Sequence, residues 1–137
     1  LEVMEGTGHS ILQFQKGMKK ERPFNIIKIG LELPKGELQD RINHRVDKLI
    51  EAGLVDEVRS LMQYKHLNAL QTVGYIEIID SLEKKTTLQQ AIEKIKIHTR
   101  QYAKRQMTWF KRDKDVCWFS PGEIDLIFSK IKESTAG

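Results

Sequence analysis

A run of cationic side chains in the last third of the chain carries the most evident chemistry of this sequence. Between Lys94 and Asp115, eight Lys or Arg residues stand against two acidic residues, Asp113 and Asp115. This segment alone carries +6, whereas the whole chain of 137 residues carries +4. Cations concentrated in this way favour binding of a phosphate-rich partner. The alternative is a solvated helix face, which normally has glutamates between its lysines and arginines.

A second candidate for anion binding is Arg45, which lies in a segment with helical periodicity over residues 36–52. At 100° per residue, Arg45 falls about 20° from Leu38, at the border of the apolar side of that helix. An arginine that loses its water needs a counter-ion. Both a structural ion pair with Asp40 or Asp47 and a bound anion satisfy that need, and the sequence leaves the two open.

Gly74 and Tyr75 are a third place where the residue types suggest a ligand. Glycine lets the backbone turn tightly or approach a ligand closely, and the adjacent tyrosine could stack on a nucleobase. The alternative is an ordinary turn at the start of a helix. The Gly6–Ser10 run is a weaker case, because it lacks the preceding strand and the lysine that a phosphate-binding loop requires.

Residues for catalysis or metal binding are not grouped in this sequence. The histidines are scattered at His9, His44, His66 and His98, without an HxxxH pair. No DxD-type pair is interpreted as a magnesium site, and no nucleophilic serine constellation is visible,. A single cysteine, Cys117, cannot form a disulfide within the chain,. The sequence therefore predicts anion binding and base stacking, without a metal site or catalytic centre of its own.

A long helix over residues 86–112 is predicted to position the cations. Thr87 and Gln90 have the spacing of a capping box at its start. An inward stripe is predicted from steps of three and four residues: Leu88, Ile92, Ile95, Thr99, Tyr102, Gln106 and Trp109,. Because Trp109 belongs to this stripe, core packing is favoured for its side chain over contact with a ligand.

Two short segments have the alternation of strands. The first is Phe24–Leu33, which ends at Pro34, and the second is Val116–Phe119,. Most of the remaining segments are helical, including a last helix that Ser120 and Pro121 are predicted to open. The fold class is therefore α/β, mostly helical, with one or two short parallel strands. A sheet of this size is marginal, and we expect its missing strands in sequence preceding Leu1.

Composition limits the environment of the chain. Its hydrophobic content of 39% suits a folded domain with one modest core,. There is no apolar run of membrane-spanning length and no signal-peptide pattern, and the lone Cys117 suits a reducing compartment. We expect a soluble, cytoplasmic protein, and the amphipathic segment already under way at Leu1 indicates a cut chain.

Several blocks of this sequence closely resemble the tRNA dimethylallyltransferases, the adenosine-37 isopentenyl transferases. The resemblance runs in order from Leu1 to about Trp118. The blocks are Leu1-Glu2-Val3, Thr7-Gly8, Arg41-Ile42, Arg45-Val46, Gly53-Leu54-Val55-Asp56-Glu57-Val58, Val73-Gly74-Tyr75 and the run from Thr99 to Phe110. The Thr-Arg-Gln, Ala-Lys-Arg-Gln and Thr-Trp sequences within that last run are the most specific.

The resemblance implies a larger enzyme with a P-loop nucleotide-kinase-like α/β core. Its N-terminal P-loop would hold dimethylallyl diphosphate with Mg²⁺, followed by a catalytic aspartate, and a helical insertion domain would interrupt the core. Both the P-loop and the aspartate are missing here. Residues 1–21 would be the last helix and exit loop of the insertion. Residues 22–137 would be the C-terminal half of the core, with a tRNA-binding helix over 86–112.

The resemblance also assigns roles to individual residues. Arg45, with Arg41 behind it, would be the cation that faces the diphosphate while N6 of the flipped adenosine attacks the allylic carbon. The tRNA-binding residues would be Gln71, Thr72, Val73, Gly74, Tyr75, Ile76, Arg100, Gln101, Lys104, Arg105, Gln106, Met107, Thr108, Trp109, Phe110, Lys111 and Arg112. The partner would be a tRNA anticodon stem-loop, and a monomer is expected.

Two other interpretations of the sequence stay open. The chain could be a stand-alone helical RNA-binding module without catalysis, or a structural fragment that binds nothing by itself. If the chain is instead part of the enzyme, it is predicted to be inactive in isolation, because the P-loop and the aspartate would lie elsewhere.

Overall fold

The computed structural model describes residues 23–135. Two parts of the sequence analysis lie outside this range: the weak match of Gly6–Ser10 to a phosphate-binding loop, and the assignment of residues 1–21 to an insertion domain. Within the range, two strands and five α-helices follow one another, with two 3₁₀ turns. They are β1 (Lys28–Leu31), α1 (Lys35–Glu51), α2 (Leu54–Ser60), the 3₁₀ turns Met62–Tyr64 and Asn68–Leu70, α3 (Tyr75–Leu82), α4 (Leu88–Phe110), β2 (Val116–Phe119) and α5 (Ile124–Thr135).

The two strands pair in parallel, as predicted. Lys28 lies opposite Val116 and Leu31 lies opposite Phe119, so all four residues of each strand take part. An additional backbone hydrogen bond of 2.9 Å from the amide of Glu32 to the carbonyl of Phe119 extends the pairing. The mostly helical α/β fold class is confirmed.

The core lies among α1, α2, α3 and α4, away from the sheet. Its buried members are Val46, Leu54, Val58, Ile78, Ile79, Ala91 and Ile95. Gly53 separates α1 from α2 with φ of +99°, a backbone conformation that glycine adopts without strain,. Of these buried residues, Ile95 belongs to the inward stripe predicted for the long helix, and Ile76 of α3 is 36% exposed.

The buried face of α4 differs from the predicted stripe. Ala91 and Ile95 are buried, and Ala103 and Met107 continue that face as half-buried residues. Tyr102 is 52% exposed and Trp109 is 64% exposed. The prediction that Trp109 packs in the core is therefore wrong. The buried side chains follow steps of four residues from Ala91, which form a stripe next to the predicted one. The sequence pattern did not indicate this stripe because alanine is only weakly hydrophobic.

The start of the last helix also differs from the prediction. Ser120 and Pro121 lie in a turn, and α5 begins at Ile124. The side chain of Glu123 accepts a 2.7 Å hydrogen bond from the backbone N–H of Ser120, which closes this turn. On α5, Ile124 and Phe128 are each 57% exposed.

Candidate nucleic-acid interface

The helix α4 is held in place at its start and near its middle. The Thr87 hydroxyl accepts a 3.2 Å hydrogen bond from the backbone N–H of Gln90, and the Gln90 side chain accepts one of 3.0 Å from the N–H of Thr87. This is the predicted capping box. Further along, Arg100 donates a 3.0 Å hydrogen bond to Asn43 of α1. The C-terminal half of α4 is thereby fixed relative to α1.

A shallow groove of about 500 Å³ runs along this half of α4. We call it the basic groove, and its lining residues are Gln101, Lys104, Arg105, Thr108, Trp109 and Arg112. The resemblance assigned all six to tRNA binding, although the helical periodicity favoured core packing for Trp109. The structure therefore brings these residues together on one surface, which their positions on a single helix made possible.

The cations of the basic groove differ from Lys96 and Lys111 in having no acidic partner in the described range. No acidic side chain of residues 23–135 forms an ion pair with Lys104, Arg105 or Arg112. Arg105 instead lies over the ring of Tyr102, 5.9 Å from its centroid. Cations without a protein counter-ion are free to bind an external anion, and a groove that concentrates them raises the local positive potential.

Two other cations of the basic segment are paired with distant acids. Lys111 contacts Glu32 at 2.5 Å and also lies 5.7 Å from the ring centroid of Trp118. Lys96 contacts Asp47 at 2.8 Å, and this hydrogen bond raises the pKa of Lys96. Lys111 was predicted to hold a phosphate, and here its charge is offset by a carboxylate.

The aromatic residues at the end of α4 are exposed beside the basic groove. The rings of Trp109 and Phe110 meet edge to face, with 4.9 Å between centroids and 82° between planes. Phe110 is 47% exposed. Proteins that bind single-stranded nucleic acids stack unpaired bases on exposed aromatic rings that lie next to cations. This geometry leaves the ring of Trp109 accessible to a ligand, which burial would have excluded.

Arg45 and Arg41 lie on α1, and neither lines the basic groove. Arg45 is exposed, and no residue of the described range forms an ion pair or side-chain hydrogen bond with it. The postulated structural pair with Asp40 or Asp47 is therefore absent from residues 23–135, and Asp47 binds Lys96 instead. Because Arg45 keeps its water, it does not need a counter-ion. Arg41 is paired with Glu37 at 2.8 Å.

The Gly74 turn lies at the start of α3, which agrees with the alternative of an ordinary turn at the beginning of a helix. Gly74 has φ of +101° and Tyr75 is the first residue of α3. The Tyr75 hydroxyl donates a hydrogen bond to Glu57 of α2, which raises the pKa of Tyr75. Tyr75 also packs against the core. Its ring is therefore engaged within the protein, whereas Val73 is 42% exposed.

A larger cleft of about 1600 Å³ separates the sheet from α4. We call it the sheet cleft. Its walls come from β1, β2, α1 and the C-terminal half of α4, and include Leu31, Leu38, Arg100, Met107 and Trp118. The cleft shares Gln101, Lys104, Trp109 and Arg112 with the basic groove. These side chains therefore stand on a ridge between an apolar cleft and a cationic groove.

Sequence reasoning missed Glu77 and His98, which contact each other across α3 and α4. Glu77 is 4% exposed, and its Oε1 lies 2.5 Å from Nδ1 of His98. The only sequence signal for this site was an acidic residue at the third position of α3, directly after the Gly74 turn. The histidine lies 21 residues away, and no spacing rule connects the two.

A magnesium site, which the resemblance implies for the larger enzyme, does not fit the described residues. Nowhere in 23–135 do three or more His, Cys, Asp or Glu side chains come together as metal ligands would. Among the helices that the structure describes, none is both long enough and apolar enough to span a membrane.

The fold and the basic groove define an α/β protein with exposed aromatic rings along one long helix, beside cations that have no acidic partner within 23–135. The sequence profile of the family described as IPP transferase matches residues 1–113. The chain belongs to this family. The residues of the basic groove all lie inside the matched region.

Curated relatives and solved structures agree with this assignment. The tRNA dimethylallyltransferase 1 of Bacteroides thetaiotaomicron is 53% identical over 96% of this chain and 43% of its own length. The full-length tRNA isopentenylpyrophosphate transferase of Bacillus halodurans has a TM-score of 0.72 and 37% identity, over 92% of this chain and 42% of that chain. For the Staphylococcus epidermidis tRNA delta(2)-isopentenylpyrophosphate transferase, the TM-score is 0.73 with 31% identity, over 96% of this chain and 46% of that chain. The chain thus spans less than half the length of these relatives.

Proposed function

We propose that this chain is the C-terminal part of a tRNA dimethylallyltransferase and supplies much of its tRNA-binding surface. The basic groove carries the proposal, because Lys104, Arg105 and Arg112 lie together there without acidic partners among residues 23–135. Three unpaired cations beside an exposed tryptophan suit an RNA loop, which offers both phosphates and unstacked bases. The partner is an anticodon stem-loop.

In the whole enzyme, the reaction would transfer a dimethylallyl group from its diphosphate to N6 of adenosine 37. The bond from the allylic carbon to the diphosphate oxygen breaks as the bond to N6 forms, and N6 loses a proton. Arg45 is our candidate for the cation that faces the departing diphosphate, since its guanidinium is exposed and has no acidic partner in the part of the chain described. Arg41 would act behind it while paired with Glu37.

Other parts of the enzyme would come from sequence outside this chain. The P-loop that binds dimethylallyl diphosphate and the aspartate that takes the proton are proposed to lie there, together with the ligands of Mg²⁺. The isolated chain is accordingly proposed to be inactive. We further propose a monomeric enzyme that acts in the cytoplasm. The coding sequence upstream of Leu1 is expected to contain a Gly-x-x-x-x-Gly-Lys-Thr/Ser loop, and its absence would favour a stand-alone RNA-binding module.

Salt-titrated binding of the chain to an anticodon stem-loop tests the RNA-binding part of the proposal. Three phosphate contacts predict that log K falls with log salt with a slope of about −2, so affinity drops roughly tenfold to twentyfold between 50 and 200 mM salt. The matched control is a fully paired hairpin of the same length and charge, which should bind more weakly. Binding that is flat and indifferent to salt would identify a structural fragment without affinity for RNA.

A further inference from the structure

Glu77 is the only charged residue of 23–135 that is buried, with 4% exposure. Its Oε2 accepts a 2.7 Å hydrogen bond from the backbone N–H of Gly74. Its Oε1 lies 2.5 Å from Nδ1 of His98. With the carboxylate ionised, Nδ1 of His98 is the donor. One carboxylate therefore connects the Gly74 turn to the helix α4.

Burying this carboxylate costs free energy, which indicates that its connection between the Gly74 turn and α4 has a structural role. A buried charge is strongly unfavourable unless its oxygens accept hydrogen bonds. Here each oxygen has one donor, and the two donors come from different elements. The N-terminal end of α3 also favours a negative charge at this position. An apolar residue would fill the same space without the cost of desolvation, but it could not hold the Gly74 N–H.

The positions along α4 place this connection next to the basic groove. Steps of three and four residues lead from His98 through Gln101, Arg105 and Thr108 to Arg112. Residues at such steps share one side of a helix. His98 therefore continues, toward the N-terminus of α4, the line of side chains that forms the basic groove. The Gly74 turn is held at that end of the line through Glu77.

We propose that Glu77 and His98 are positioning residues, which hold the Gly74 turn against α4 so that the turn and the basic groove contact one RNA loop together. This inference rests on the proposed RNA-binding function. Neither residue needs to touch the RNA. Their role is to fix the distance between residues 71–76 and the cations of α4.

Two replacements of His98 separate this role from simple packing. In His98→Asn, the amide nitrogen can take the place of Nδ1 and donate to Glu77, whereas in His98→Gln the amide extends to where Nε2 stood. The side chain of His98 is 45% exposed, so neither change removes core packing. The amide exchange of Ala91 and Ile95 reports whether the core of each variant is intact.

In His98→Gln, we expect the Gly74 amide to exchange about tenfold faster, because Glu77 loses the donor that keeps it in place. Affinity for the anticodon stem-loop should fall about tenfold while the salt slope stays unchanged, since the cations of the basic groove remain. His98→Asn should restore both values to near those of the unmodified chain.

Three results would overturn the inference. They are unchanged Gly74 exchange in His98→Gln, faster exchange with full RNA affinity, or a His98→Asn variant as impaired as His98→Gln. If the unmodified chain binds no stem-loop, the proposed function fails. The exchange of Gly74 is measured without RNA, so it still decides whether His98 holds the turn.

Discussion

Gly30 of β1 lies directly against the indole ring of Trp118 on β2. A Cβ added to Gly30 would stand 2.6 Å from Cε3 and 2.7 Å from Cζ3 of that ring. The two residues are paired in the register of the parallel sheet. The absence of a side chain at residue 30 therefore lets Trp118 lie across β1, where it forms part of the wall of the sheet cleft.

Gly30→Ala is expected to destabilise the protein by about 1–3 kcal/mol, because the methyl group and the ring cannot occupy the same space. Thermal or urea unfolding measures the loss, and the fluorescence of Trp118 should change with it. Gly36→Ala is the matched control. A Cβ at Gly36 meets nothing within 4 Å, and alanine favours a helix, so this variant should be as stable as the parent or more stable,. Equal effects of the two changes would contradict the packing argument.

The double change Lys104→Ala with Arg105→Ala should weaken binding of the whole enzyme to tRNA and leave the binding of dimethylallyl diphosphate intact. The salt slope should become shallower by about 1 for each phosphate that the variant no longer binds. Lys130→Ala with Lys132→Ala removes the same charge from α5 and serves as the control, with an unchanged slope. If affinity for both substrates falls equally, the basic groove is not specific for RNA.

Arg45→Ala in the whole enzyme should lower turnover by on the order of 100-fold, since a cation facing the leaving group acts mainly in the transition state. Affinity for tRNA should stay the same. Lys48→Ala, one turn further along α1, is the control for loss of a positive charge from this helix. Single-turnover rates at saturating tRNA provide the comparison, and an Arg45→Ala rate equal to that of the parent would remove Arg45 from the site.

Glu83 should make the protein sensitive to acid. Hydrogen bonds from Lys65 and then Lys85 lower the pKa of Glu83 from 4.5 to about 2. The folded pKa lies below the unfolded one, so this stabilisation is present above pH 4.5 and is lost as the pH falls toward 2,. Glu83→Gln should therefore flatten the decline in unfolding midpoint across that window. The same decline in both proteins would show that other carboxylates cause it.

The sequence predicted well where neighbouring residues determine the structure. The capping box at Thr87 and Gln90 depends on residues three apart, and the strand Val116–Phe119 was predicted with its observed bounds. The resemblance, rather than periodicity, assigned all six residues of the basic groove, since periodicity placed Trp109 inward. Periodicity does place Lys104, Arg105 and Arg112 outside the predicted inward stripe, because a helix brings together residues that are three and four apart. Local periodicity and composition contain that information.

Tertiary packing decided which face of α4 is buried and which cations are free. Trp109 was expected inward and is exposed, because α1 and α3 pack on the side of Ala91 and Ile95. Lys111 and Lys104 look alike in sequence, yet Lys111 meets Glu32 from 79 residues away. The contact between Glu77 and His98 also forms only after α3 and α4 pack together. Such pairings depend on the positions of whole elements, which no local pattern specifies.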